Sequence, residues 1–125
     1  MSPRHVPATQ AELSRIGLLA ELPGERLVEL AKRMRREEVL GGEAPVVEGE
    51  EGERFYVVLN GIFAVSNLGS MPRRMLRPGD YFGEVALALD VPRSASVRAL
   101  TPSTVASCDR ETFDEFIKPL FSDDG

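Results

Sequence analysis

Apolar positions recur with two different periods along this chain, and the change falls near Arg35. Leu27, Leu30, Ala31 and Met34 lie at i, i+3, i+4 and i+7. That spacing predicts one buried stripe on a helix beginning near Pro23, a residue tolerated at a first helical position. Before it, Thr9 and Glu12 have the spacing of a capping box, with Leu13 and Ile16 behind them and Gly17 as the stop. From Arg35 onward, short β-type runs predict strands at 38–40, 45–48, 54–60, 62–67, 73–77, 94–100 and 104–109. Gly41-Gly42, the turn 49–52, Asn60-Gly61 and Pro78-Gly79-Asp80 punctuate them. Asn60-Gly61 between two apolar runs predicts a tight hairpin.

Two stretches break the β pattern. Glu84–Leu89 reads as one short helical turn among the strands. After Asp109, a good N-cap, Phe113, Phe116, Ile117 and Leu120 return to helical spacing, and Pro119 is expected to kink or end that helix. The fold class expected is therefore mainly β with flanking α. It is a jelly-roll-like β-barrel with N-terminal helices, one short interposed helix and a C-terminal helix. Residues 1–8 read as a loose arm, 9–121 as one domain and 122–125 as an acidic tail.

Composition narrows the picture mainly by exclusion. At 125 residues, 42% hydrophobic and 28% charged, the chain suits one globular domain with one core. No apolar run approaches the ~18 residues of a bilayer span, and the first ten residues lack a signal-peptide core. A cytoplasmic protein with no membrane partner is the expectation. The net charge of −5 argues against nucleic acid as a partner, and Lys32-Arg33, Arg35-Arg36 and Arg73-Arg74 read as solvated faces or strand edges. The single cysteine, Cys108, suits a small core or strand position. Met34, Met71 and Met75 read as packing or loop residues. One histidine, His5, makes no metal site, and no nucleophile–base set is present, so no enzyme is expected.

The chemistry concentrates in residues 81–97. If Glu84–Leu89 is a helical turn, its first amides are unpaired and attract an anion. Gly83 lets a ligand approach the backbone. Arg93 supplies a charged fork matched to phosphate oxygens, Ser94 a hydroxyl, and Ala95 an amide without bulk. Glu84 would repel a phosphate but would accept a hydrogen bond from a nearby ligand hydroxyl. A ribose 2′-OH beside a 3′,5′-cyclic phosphate has that arrangement. Two plainer readings stand beside this one: Arg93 pairing with Glu84 or Asp90 across a turn, and Glu84 as a carboxylate stabilised at a helix start.

At these residues the chain resembles the cyclic-nucleotide-binding domain family. Its phosphate-binding cassette, approximately F-G-E-[LIVM]-A-L…P-R-[AST]-A-[ST]-V, matches Phe82 to Leu87 and Pro92 to Val97 without a gap. The likeness extends through Gly49, Gly52, the 55–61 stretch, Pro78-Gly79-Asp80 and the closing helix, over residues 12–121. By position, it implies that Arg93, Ser94 and the Ala95 amide hold the cyclic phosphate. Glu84 would take the ribose 2′-OH, and Gly83, Val85 and Ala86 would line the phosphate through the backbone. Val65 and Leu76 would wall the base. The ligand implied is cAMP in the first place, with cGMP also compatible with Ser94, and no other cofactor or metal. A regulatory sensor is the expected role, with an output domain or a homo-oligomer as partner. The alternatives are a ligand-free relative acting as an interaction or oligomerisation domain, and the sensory half of a transcription regulator. Members usually continue into a longer lid helix over the base, so base contacts of that origin are expected to be either missing or supplied from elsewhere.

Overall fold

The computed structural model describes residues 6–67 and 74–121. His5, Met71, Arg73 and the acidic tail at 122–125 lie outside them. The described elements stack as helices, a five-stranded sheet and a three-stranded sheet. The first sheet runs β1 (Val6–Pro7), β2 (Arg35–Val39), β8 (Ser103–Asp109), β3 (Arg54–Asn60), β6 (Tyr81–Phe82). The second runs β5 (Met75–Leu76), β4 (Phe63–Ser66), β7 (Ser96–Ala99), and all the described pairings are antiparallel. This is a jelly-roll-like sandwich. No closed barrel forms among the described strands.

Strand β3 explains the layering. Its side chains alternate between faces, yet Phe55, Tyr56, Val57 and Val58 are all buried. Phe55 and Val57 point to the helices, joining Leu13, Ile16, Leu30, Met34 and Phe113. Tyr56 and Val58 point to the second sheet, joining Val39, Phe63, Phe82 and Val105. A strand covered on both faces reads as a continuous apolar run. Truncating Phe55, fully buried in the helical layer, to Ala would cost about 3–5 kcal/mol.

The helical layer begins with α1 (Gln10–Leu13). Its capping box is present, with the Thr9 amide donating to Glu12 Oε1 at 3.0 Å and the Glu12 amide to Thr9 Oγ1 at 3.1 Å. It stops short of Gly17 because the Arg15 and Ile16 amides tighten onto Glu12 and Leu13 carbonyls. The tighter turn keeps both Leu13 and Ile16 in the core. Helix α2 (Gly24–Arg33) has Pro23 as N-cap and buries Leu27, Leu30 and Ala31 as expected.

Several expected features take another form. Val6–Pro7 is an edge strand on Arg35 and Arg36, and Ala8 is buried, so this part of the N-terminus is not a loose arm. Strand β2 begins at Arg35, earlier than its hydrophobicity suggests, because a polar network holds it. Arg54 Nε donates to Ser107 Oγ at 2.9 Å, Ser107 donates to Glu37, and Arg35 pairs with Glu37. The 45–48 run makes one bridge, Val46 with Val97. Asn60-Gly61 is not a hairpin: β3 and β4 belong to different sheets. Gly61, at φ 93°, turns the chain from one to the other, and a Cβ there would meet the Ser103 Cα at 2.8 Å.

The closing helix runs α4 (Arg110–Thr112), a π-helical turn (Phe113–Ile117) and α5 (Lys118–Phe121). Asp109 caps it through the Thr112 amide at 2.9 Å. Pro119 does not end it. A proline ring clashes with the carbonyl four residues back. Here the preceding turn widens instead, with the Lys118 amide bonding the Phe113 carbonyl, and helix continues past the proline.

Candidate phosphate-binding site

Between β6 and β7 the chain leaves the sheets and forms the one feature in this region that is neither strand nor hairpin. Gly83 takes φ 93°, and α3 (Glu84–Leu89) starts directly after it with no side chain capping its first turn. A side chain at Gly83 would be strained by that dihedral, and its Cβ would lie 2.9 Å from the Arg54 carbonyl oxygen. Asp90 ends the helix in the left-handed region, and Pro92 prevents its resumption. The chain then returns along 93–97, where Ser96 Oγ accepts from the Glu48 amide and the Ser94 carbonyl from Asn67 Nδ2.

An open cavity of ≈ 140 Å³ lies between this helix and the returning segment. Gly83, Glu84, Val85, Ala86, Arg93, Ser94, Ala95 and Val65 all line it. Leu76 does not. It is 2% exposed and packs between the two sheets, because the two-residue strand β5 turns it inward. Phe82 and Val97, the first and last residues of the cassette motif, also line the cavity, as do Val46 and Arg74, which no motif marked. Val46, bridged to Val97, and Arg74, just before β5, reach the cavity only through the fold. Phe82 forms part of the base of the cavity, stacked on Tyr56 at 4.8 Å between centroids.

Arg93 sets the electrostatics. It is 7% exposed, the only buried charged residue among the described ones. Its Nη1 donates to the Gly83 carbonyl at 3.0 Å and its Nη2 to the Arg54 carbonyl at 2.9 Å. No carboxylate of the described residues forms an ion pair with it. Asp90 pairs with Arg110 instead, at 3.4 Å, and Glu84 keeps its carboxylate free of hydrogen bonds among the described residues. Burial pushes the Arg93 guanidinium below its ordinary pKa, while Tyr56 and Glu84 pull it back up. Guanidinium stays charged in proteins, so this is a desolvated cation with no counter-ion among the described residues.

Gly52 is part of the same construction. A Cβ there would lie 2.6 Å from Ala86 Cβ and 2.8 Å from Arg93 Cζ, so only glycine lets the 49–52 turn pass behind the guanidinium. The turn is bonded to the Arg93 backbone in both directions: Arg93 N–H to the Glu50 carbonyl at 2.8 Å, Gly49 N–H to the Arg93 carbonyl at 2.9 Å. The sequence marked Gly49 and Gly52 as turn residues but not this close approach.

No other chemistry competes nearby. Cys108 is fully buried, and desolvation raises its thiol pKa to about 12, which leaves it inert. Among the described residues no group of three or more His, Cys, Asp or Glu could hold a metal ion. Among them, too, no helix is long and apolar enough to cross a membrane.

Comparison with known proteins agrees with this geometry. The family model described as the cyclic nucleotide-binding domain matches residues 36–119. The cAMP-dependent protein kinase regulatory subunit of Debaryomyces hansenii is 37% identical over 107 residues, covering 86% of this chain and 24% of that protein. The chain thus spans about a quarter of the length of such curated relatives. Among solved structures, the regulatory domain of Toxoplasma gondii PKA with cAMP superposes with TM-score 0.81 at 29% identity, covering 89% of this chain and 44% of that one. The regulatory subunit of a cAMP-independent protein kinase A from Trypanosoma cruzi, bound to guanosine, gives TM-score 0.79 at 25% identity, covering 88% and 40%. On the match across most of its length, the chain belongs to the cyclic nucleotide-binding domain family.

Proposed function

We propose that this chain is a sensor module that binds a 3′,5′-cyclic nucleotide, with the cyclic phosphate on Arg93 and the cassette amides and the ribose 2′-OH on Glu84. The observation that carries this is Arg93, buried at the cavity and bonded to two carbonyls with no carboxylate of the described residues paired to it. A desolvated charge is costly unless paired, and its two carbonyl contacts supply acceptors but no countercharge. A cyclic phosphodiester brings one negative charge, matching one arginine. The Ser94 hydroxyl and the amides of Val85, Ala86 and Ala95 add donors. Glu84 has an unused acceptor at the cavity wall for a ligand hydroxyl. The cavity is small against the ~300–1,000 Å³ of most ligand pockets, so the base is expected to lie toward its open side.

Arg74 lines both this cavity and the next one along Tyr81 and Glu84. A guanidinium matches the two acceptors of guanine, O6 and N7, whereas adenine presents a donor beside its N7. The sequence reading put cAMP first. A base seated against Arg74 would favour cGMP over cAMP.

The Trypanosoma cruzi relative holds an uncharged nucleoside, guanosine, on a similar fold. Arg93 favours a charged ligand here. The relatives are regulatory subunits, and we assign this chain the same kind of role, without catalysis, passing occupancy to another segment or partner. Isothermal titration with cGMP, cAMP and 5′-AMP tests the reading. Binding of at least one cyclic nucleotide ahead of 5′-AMP is expected, and Arg74→Ala should narrow the gap between cGMP and cAMP. No binding of either cyclic nucleotide at millimolar concentration would overturn it.

A further inference from the structure

A second cavity, of ≈ 480 Å³, shares no lining residue with the cassette. Five segments meet at it: α1 and the turn after it, β2, the end of β3, the 78–79 turn and the start of β8. Leu59, which lines it, is the extra residue of a β-bulge, since Val58 and Asn60 face Val105 and Thr104 in succession. Such a bulge bends its strand. The Gly79 amide ties the 78–79 turn to the Val58 carbonyl at 3.0 Å. The charges in this cavity do not balance. Arg15 lines it and has no hydrogen bond or ion pair among the described residues. Arg36 Nε is shut off from solvent and lies 3.1 Å from Glu12 Oε2 without forming a hydrogen bond. Glu12 is the one carboxylate in the lining, and its other oxygen already accepts from the Thr9 amide. Two guanidiniums thus share one carboxylate. Asn60 Oδ1 is taken by the Gly61 amide at 2.9 Å, which leaves its Nδ2 to donate. The Thr104 hydroxyl donates to Glu38 Oε1 at 3.2 Å, which leaves its oxygen to accept.

We propose that this cavity is a second ligand site, for a small hydroxy acid or sugar acid. Its carboxylate lies on Arg15 and Arg36, and its hydroxyl groups on Asn60 and Thr104. One uncompensated positive charge matches a single carboxylate, whose two oxygens fit a planar guanidinium fork. A phosphate monoester carries close to two negative charges at neutral pH and would be undercompensated. Ile16 and Leu59 supply apolar contact for the carbon chain. The volume falls within the ~300–1,000 Å³ of small-molecule pockets. This site is independent of the cyclic-nucleotide reading, and its test uses no nucleotide.

The test is NMR titration of the whole chain with gluconate, with glucose as an uncharged counterpart and inorganic phosphate as a plain anion. Gluconate should shift the Arg15, Ile16, Leu59, Asn60 and Gly79 amides and the Arg36 Nε–H. The shifts should saturate in the millimolar range and leave residues 83–86 unmoved. Glucose should shift nothing. Arg15→Gln should weaken gluconate binding roughly tenfold, the loss expected of a charged hydrogen bond. Arg15 is exposed and unpaired among the described residues, so this variant should keep the wild-type spectrum away from the cavity. Arg36→Lys, which keeps the charge beside Glu12 but not the fork, should weaken binding by a smaller factor. No saturable shift with gluconate, or undiminished binding in Arg15→Gln, would overturn the proposal. Equal binding of inorganic phosphate would also overturn it, leaving an adventitious ion only. Shifts confined to residues 83–86 would place the anion in the cassette and overturn it as well.

Discussion

Arg33 and Arg93 show what a finished and an unfinished arginine look like in one molecule. Arg33, at the end of α2, reaches Glu115 at 2.8 Å and lies over the Phe116 ring at 5.1 Å, beside Arg26 at 4.1 Å. Its charge is partly exposed and countered, and its hydrogen bond to Glu115 raises its pKa. Arg93 is nearly buried, meets only carbonyls, and burial lowers its pKa. The first joins two helices and needs nothing more. The second lines a cavity and has no carboxylate of the described residues paired with it, which is where the proposed reading puts the charge of the ligand.

Substitutions break this comparison at different points. The largest effect belongs to Arg93→Ala, which should weaken cyclic-nucleotide binding by about 2–5 kcal/mol in isothermal titration, the usual loss for one partner of a buried charge pair. Gly52→Ala comes next. Its Cβ has room only if Ala86 and Arg93 move, so we expect about 1–3 kcal/mol lost in urea unfolding, together with weaker binding. Asp109→Ala removes the cap of the closing helix and should cost about 1 kcal/mol at neutral pH.

That last contribution carries a pH signature. The Thr112 amide and hydroxyl hold the Asp109 carboxyl below the ordinary carboxylate range. A depressed folded pKa gives stability that is present above the ordinary value and lost as pH falls through the folded one. The difference between wild type and Asp109→Ala should therefore shrink below about pH 4 in urea melts. The smallest effect is Arg33→Ala. Exposed pairs and cation–π contacts are each worth about 1 kcal/mol or less, so stability should drop slightly and titration of the ligand should not change.

The cassette was legible because it is local. Gly83, Glu84, Arg93 and Ser94 meet through one short helix and its return, so spacing alone brings them together. The three helical stripes were legible for the same reason. What failed involves partners distant in sequence. Asn60-Gly61 has hairpin chemistry, but the strands it joins find other neighbours, β8 and β7, and the chain passes between sheets. Strand β2 has no hydrophobic signal at its start, because Glu37, Ser107 and Arg54 hold it through polar contacts. Leu76 is absent from the cassette cavity because its pairing with Phe63 turns it toward the core, although it lines the neighbouring cavity with Arg74 and Glu84. Arg74 became a site residue only once β4 and β5 lay side by side.

The most direct test of the central claim compares a charged ligand with its uncharged counterpart on two proteins. Isothermal titration would measure cGMP and guanosine against wild type and Arg93→Ala. The account predicts a large preference for cGMP in wild type that collapses in Arg93→Ala, with guanosine binding nearly the same in both. Equal affinity of wild type for the two ligands, or a preference for cGMP that survives loss of Arg93, would contradict it.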